Sequence, residues 1–136
     1  MDVEDALRLR LTGAGALAAR LAEWLGAPAV FWLLRPQNSV LPAIVLTTVS
    51  RPEAEHMQGP QALQFMRVQV DSYAASVIDA QQVADLAIAA LRPRAFAHGY
   101  YFRPASVLAR RDMGDPGVNG GIFRVSMDLM VRFSPA

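Results

Sequence analysis

The amino-acid sequence predicts an α+β fold, in which a mixed, mostly antiparallel β-sheet packs against an N-terminal helix and one crossover helix. Three observations carry that prediction. Leucines and alanines near the N-terminus recur at helical spacing, several later segments alternate or run apolar like strands, and one alanine-rich helical segment interrupts those strands. The chain shows no internal repeat and no linker long enough to divide it, so one domain over residues 1–136 is expected.

Leu7, Leu11, Ala14, Ala18, Leu21 and Leu25 fall three and four apart, which places them on one helical stripe. Gly13 and Gly15 weaken helix locally, so a bend or two short helices are expected there, with Gly26 and Pro28 as the stop. Ala29 to Leu34 is short, apolar and bounded by prolines, and reads as a buried strand. Arg35 to Ser39 is a turn cluster, and Ala43 to Arg51 is a second strand. Pro52 to Gln61 carries prolines, glycine and charge, and reads as an exposed loop.

From Met66 to Asp71 the alternation is strict. Met66, Val68 and Val70 are expected to face the core, while Arg67, Gln69 and Asp71 face water or a partner. The next helix is expected to begin at Asp79, with Gln82 completing a capping box and Arg92-Pro93 closing it. Its apolar stripe is Val83, Ala87, Ala90 and Leu91, and the small residues Ala84, Ala87, Ala89 and Ala90 suit close packing on a sheet. The C-terminal third reads as a hairpin with arms from Val107 to Arg111 and from Phe123 to Phe133, joined by a Gly-rich tip from Asp112 to Gly121. In the return arm Phe123, Val125, Met127, Leu129, Val131 and Phe133 share one face, and Arg124, Ser126, Asp128 and Arg132 share the other.

Composition narrows the function. The apolar fraction of 53% supports a packed core, and 13 basic against 12 acidic residues leave a formal net charge of +1. That balance gives no whole-molecule attraction to nucleic acid or to an anionic membrane. Every basic side chain is arginine, and there is no cysteine to form a disulfide, a thiolate metal site or a thiol nucleophile. The start of the chain is acidic, unlike a secretory signal, and no apolar run approaches the ~20 residues of a membrane helix, so a soluble chain made in a cytoplasm is expected.

Catalytic patterns are missing as well. Gly13-Ala14-Gly15 lacks the further glycine of a dinucleotide site and the Gly-Lys-Ser/Thr of a phosphate loop. His56 and His98 stand apart without ligand spacing, so no catalytic, cofactor-binding or metal-ligating residue is assigned. The aromatic segment around His98 could stack on bases, but packing on the sheet explains the same residues. Two connections of about ten residues exceed ordinary hairpin loops, and such loops often carry function.

The order of these segments resembles a known family. The run Ala6-Leu7-Arg8-Leu9-Arg10-Leu11, the strand opening Leu41-Pro42-Ala43-Ile44-Val45, the strand Arg67-Val68-Gln69-Val70-Asp71-Ser72-Tyr73-Ala74 and the final strand from Ile122 to Val131 resemble the tail-completion (tail-terminator) proteins of siphophages and gene transfer agents. Val68-Gln69-Val70-Asp71 and Arg124-Val125-Ser126-Met127-Asp128 are its most specific parts, and the likeness spans roughly Ala6 to Phe133.

The resemblance implies a structural, non-enzymatic homo-oligomer without a cofactor, expected as a hexameric ring. It would sit in the virion at the head-proximal end of the tail, after assembly in the bacterial cytoplasm. There it would stop growth of the tail-tube protein and join the tail to the head connector or stopper. DNA would pass through its lumen without sequence-specific binding, and no membrane is implied. A ring needs two different complementary patches on each copy. The candidates are the 52–61 loop with Arg51, Glu53, Glu55 and His56, and the hairpin tip with Arg110, Arg111, Asp112, Met113 and Asp115. The sheet face carrying Arg67, Arg124 and Asp128 is a further candidate. Two other readings stay open: another head–tail adaptor or tail-tube subunit, or a small ligand-binding domain built around Trp24, Trp32, Tyr100 and Tyr101.

Overall fold

The computed structural model describes residues 2–36, 40–51, 63–115 and 122–135. Helix α1 (Val3–Thr12) opens at Asp2, whose side chain accepts a hydrogen bond from the Asp5 amide at 2.9 Å. Glu4 and Asp5 in the first turn and Arg10 in the last complement the helix dipole. The expected break falls at Gly13 and Ala14, after which α2 (Gly15–Ala18) adds one turn. Leu7, Leu11, Leu17 and Leu21 are buried, but the helix does not continue to Leu25. Instead β1 (Glu23–Trp24) and β2 (Ala27–Pro28) form a minimal hairpin around Leu25 and Gly26, both at positive φ (52° and 84°). The Ala22 amide donates to the Pro42 carbonyl, and the Ala29 amide to Ala22. The sheet region thus takes backbone groups that a longer helix would have paired locally.

The remaining elements follow in chain order. They are β3 (Val30–Trp32), β4 (Ala43–Ser50), β5 (Gln64–Ala74), α3 (Val77–Leu91), β6 (Ala95–Ala97), β7 (Tyr100–Phe102), β8 (Ser106–Asp115) and β9 (Ile122–Pro135). The main sheet runs β3-β4-β5-β9-β7-β6, with β8 pairing the first part of the same β9 edge that β7 pairs at its end. Among the described residues only β3 and β4 pair in parallel. This is the mixed, mostly antiparallel sheet that the sequence predicts. Two strands exceed their predicted lengths, because β5 pairs with β9 without interruption from Gln64 to Ala74, and β8 pairs on to Asp115. The first half of the expected Gly-rich tip is therefore strand.

One face of the sheet makes the core. Met66, Val68, Val70, Val125, Met127, Leu129, Val131 and Phe133 are each at most 2% exposed and pack beneath α1 and α3. Each such side chain stabilises the fold by about 1.5–3 kcal/mol through loss of apolar contact with water. Buried Ala80, Ala84 and Ala87 let α3 lie close, while Ala89 is exposed and Ala90 half-buried. The Ser72 hydroxyl donates to the Ala80 carbonyl at 2.9 Å and fixes the helix to β5.

The cap of α3 corrects the sequence reading. Its N-cap is Ser76, whose hydroxyl accepts from the Asp79 amide at 3.2 Å, and Asp79 lies inside the first turn. At the other end Arg10 donates to the carbonyls of Ala90 and Pro93, both at 3.0 Å, and lies 4.6 Å from the Phe102 ring centroid. Burial lowers the pKa of this arginine. One guanidinium thereby links α1, the end of α3 and β7.

Replacing Ser76 by Ala is expected to cost about 1 kcal/mol, and Asp79→Ala distinctly less, in urea unfolding followed by circular dichroism. The opposite ranking would return the cap to Asp79. Leu129→Ala, which empties a site in the core, is expected to cost about 2–5 kcal/mol in the same assay.

Candidate assembly interface

The sheet face away from α1 and α3 carries most of the polar residues that the sequence singles out. Arg67 on β5 donates to Asp128 on β9 at 2.8 Å, a diagonal pairing, since Arg67 stands directly opposite Met130. The pair is partly exposed, with 42% and 19% of the two side chains accessible, which limits it to a modest contribution. Arg124 donates to the Tyr73 hydroxyl at 3.2 Å and to the Met113 sulfur at 3.1 Å. The Tyr73 bond raises the Arg124 pKa against the desolvation that lowers it, and the Asp71 charge adds to the rise. Arg35 also stacks on Tyr73, 5.4 Å from its centroid.

Asp71 departs from expectation. It is only 4% exposed, and its Oδ2 accepts from Gln69 Nε2 at 2.8 Å, while Oδ1 has no partner among the described residues.

Along β8 the alternation splits the tip residues between two faces. Arg111 and Met113 stand opposite Ser126 and Arg124 and share their face. Arg110 and Asp112 point the other way. Arg110 pairs with Asp85 of α3 at 2.6 Å, and Asp112 accepts from Gln81 at 3.1 Å. These two residues therefore brace β8 against α3, a role not readable from the chain because their partners Asp85 and Gln81 lie 25 and 31 residues away. Arg51, just after β4, makes a loose contact of 4.0 Å with Glu4 and lies 5.6 Å from the Phe133 ring centroid. Glu53, Glu55 and His56 lie outside the described residues, as do the side chain of Asp115 and residues 116–121.

The candidates thus form one connected surface of Arg67, Asp128, Arg124, Met113 and Arg111, with Arg110, Asp112 and Arg51 elsewhere. Among the described residues no group of three His, Asp or Glu side chains could hold a metal ion, and no helix is long and apolar enough to cross a membrane. A cavity of about 370 Å³ lies between Arg35, Tyr73, Met113, Gly114, Ile122 and Arg124. The aromatic pocket expected for a ligand-binding domain does not form. Trp24 and Trp32 stand at the β3 end of the sheet and Tyr100 and Tyr101 on β7, with three strands between β3 and β7.

The family model for tail completion protein gp17 matches residues 5–134, from the first turn of α1 to the end of β9. The chain belongs to that family. Tail completion proteins are structural parts of phage-type tails, and that coarse role applies to this chain. A solved chain from the virion of a native gene transfer agent particle shares the fold, with a TM-score of 0.67 and 15% identity over 97% of this chain and 94% of that one. A second solved chain, 16% identical over 98% and 93%, has a TM-score of 0.44, too low to bear on the fold. Comparison with curated proteins gives no match.

On this tail completion protein the Arg67–Asp128 bond is expected to be worth about 0.5–1 kcal/mol in a double-mutant cycle with alanine at both positions. Urea unfolding at low and at 1 M salt measures it, and the coupling should shrink as salt rises. A coupling that is unchanged by salt would mean that the pair is shielded from solvent.

Proposed function

We propose that this chain is the tail terminator of a phage-like particle: copies of it close into a ring, expected to be hexameric, at the head-proximal end of the tail. The family match over residues 5–134 carries this reading. The ring stops addition of further tail-tube subunits and offers a surface to the connector or stopper of the filled head, and it works as a part of the virion. The likeness to a chain of a gene transfer agent virion supports a place in such a particle. The whole chain acts as one domain, by shape and repeated contact rather than by chemistry.

The polar sheet face supports a lumen-facing role. Arg67, Arg111, Arg124 and Asp128 are held to one side of the sheet, opposite the helices, and arginine there meets phosphates without reading bases. The loop carrying Glu53, Glu55 and His56 and the tip beyond Asp115 are proposed to reach the tube or the connector. DNA passes the ring without sequence-specific contact.

Electron microscopy of particles made without this chain tests the reading. The expected result is tails of uncontrolled length, unjoined to filled heads, and restoration of both by the supplied wild-type chain. Tails of normal length in its absence would overturn the terminator role.

A further inference from the structure

The two ends of the sheet differ in charge: one carries arginines, while at the other acidic residues outnumber Arg35 and Arg51, the latter 4.0 Å from Glu4. At one end the β6–β7 hairpin presents Phe96 and Tyr101, 65% and 54% exposed, with their rings 4.6 Å apart. Arg94 and Arg103 flank the pair and line a 730 Å³ cavity in which every charged residue is arginine. Exposed Arg92 precedes them, and the sequence from Leu86 to Arg111 contains five arginines and no acidic residue.

At the other end stands β3. Trp32 Nε1 donates to the Glu4 carbonyl at 3.1 Å, which holds the acidic start of α1 (Asp2, Glu4, Asp5) beside it. The β1–β2 hairpin joins the same end through an edge-on contact of Trp24 with Phe31 at 6.5 Å, and brings exposed Glu23. This end also exposes Leu25, Leu33 and Leu34 at 91%, 68% and 80%. Neither Asp5 and Glu23 nor Arg92, Arg94 and Arg103 make an ion pair among the described residues.

The leucines are held there against the preference of the backbone. Leu25 has φ 52° in its two-residue turn. Leu33 has φ 67° at the centre of a three-residue turn closed by the Leu34 amide on the Trp32 carbonyl at 2.8 Å. Leucine at positive φ is strained, and the monomer gains no burial from side chains so exposed. The two-residue turn itself requires the φ of Leu25, as the β6–β7 turn requires that of His98 (φ 54°), so it is the exposure of the leucines that a further contact would use.

We infer that the acidic, leucine-bearing β3 end of one copy docks on the arginine–aromatic β6–β7 end of the next. The inference rests on the ring reading above and names the surfaces that close the ring. Charge complementarity sets its polarity. Two β3 ends would oppose acid to acid, and two β6–β7 ends arginine to arginine, so a two-fold pairing of like ends is disfavoured and the head-to-tail contact is selected. Leu25 and Leu33 supply apolar surface to the exposed Phe96–Tyr101 pair, and arginine beside aromatic rings is the composition that interface centres favour.

Two charge-reversed variants test this in cells that make the particle but lack the native chain. Variant one carries Arg94→Glu and Arg103→Glu, and variant two carries Asp5→Arg and Glu23→Arg. Circular dichroism melting of each purified variant confirms that it folds. Supplied singly, each is expected to lower the number of head-joined tails of uniform length at least tenfold. Supplied together they should recover most of the wild-type number, because alternating copies restore every contact. Joined tails in normal number from either variant alone, or no recovery from two folded variants together, would overturn the edge contact. Failure of the wild-type chain to restore joining would instead overturn the terminator role. A third variant, Leu33→Gly, relieves the positive φ and should melt no lower than wild type while reducing joined tails. Normal numbers of joined tails from it would remove the leucines from the contact.

Discussion

Both edges of a single strand, β9, must be satisfied along its whole length, and the rest of the molecule is arranged around that demand. A buried backbone amide or carbonyl without a partner costs as much as a lost hydrogen bond. β5 covers one edge in unbroken register from Phe123 to Phe133. No single strand covers the other. β8 takes Ile122 to Met130, β7 takes Phe133 to Pro135, and between them the Arg103 amide donates to the Arg132 carbonyl while Arg132 Nη1 reaches Ser106 Oγ at 3.3 Å. The chain from β7 to β8 is therefore pinned at its turning point, and α3, which precedes the β6–β7 hairpin, has its C-terminus fixed in turn by Arg10 and by the Ala105 amide on the Arg92 carbonyl.

That arrangement uses up the middle of the sheet and leaves its ends. The helices cover one face, and the other is cross-linked by its own side chains, Arg67 to Asp128 and Arg124 to Tyr73 and Met113. Those bonds hold the side chains of Arg67, Asp128, Arg124 and Met113 to the sheet rather than leaving them free in solvent. The ends are different: β3 and β6 are three-residue strands, each with exposed apolar side chains, an acidic excess beside β3 and arginines beside β6. Short edge strands resist indiscriminate pairing, while opposite charge admits a specific neighbour.

The parts of this design that were legible in the sequence are those fixed by covalent geometry. Alternation along Met66–Val70 and Val125–Phe133 has a period of two in any strand, so the core face of β5 and β9 could be read residue by residue. The family's strand motifs lie on those same elements. Less was legible where two local solutions compete. Ser76 with Asp79 and Asp79 with Gln82 both look like the start of a helix, and only the hydrogen bond of Ser76 separates them. Leu25 continued a leucine stripe, and nothing local announces that the chain leaves the helix seven residues earlier and places it at positive φ. Arg110 and Asp112 looked like charges at a strand end beside a loop, because their partners on α3 are set by register, a property of the assembled sheet. Arg10 belongs to the same class: its two carbonyl acceptors lie 80 and 83 residues away.

The two strained leucines connect these levels. Each costs on the order of 1–3 kcal/mol in the separate chain, and neither is offset by its own burial. Glycine in either place would remove the strain and, with it, the apolar surface, so the sequence has kept side chain over comfort at the one end of the sheet that also gathers Glu23, Asp5 and Glu4. A protein whose work is catalysis concentrates strain around reacting groups. Here the strain lies at an outer edge of the sheet, on side chains that are exposed. Surface of that kind has a use only when another molecule covers it. In the proposed ring each copy's edge would be covered by the next, so a small cost repeated in every subunit would be offset at every contact, and an incomplete ring would offset less than a closed one.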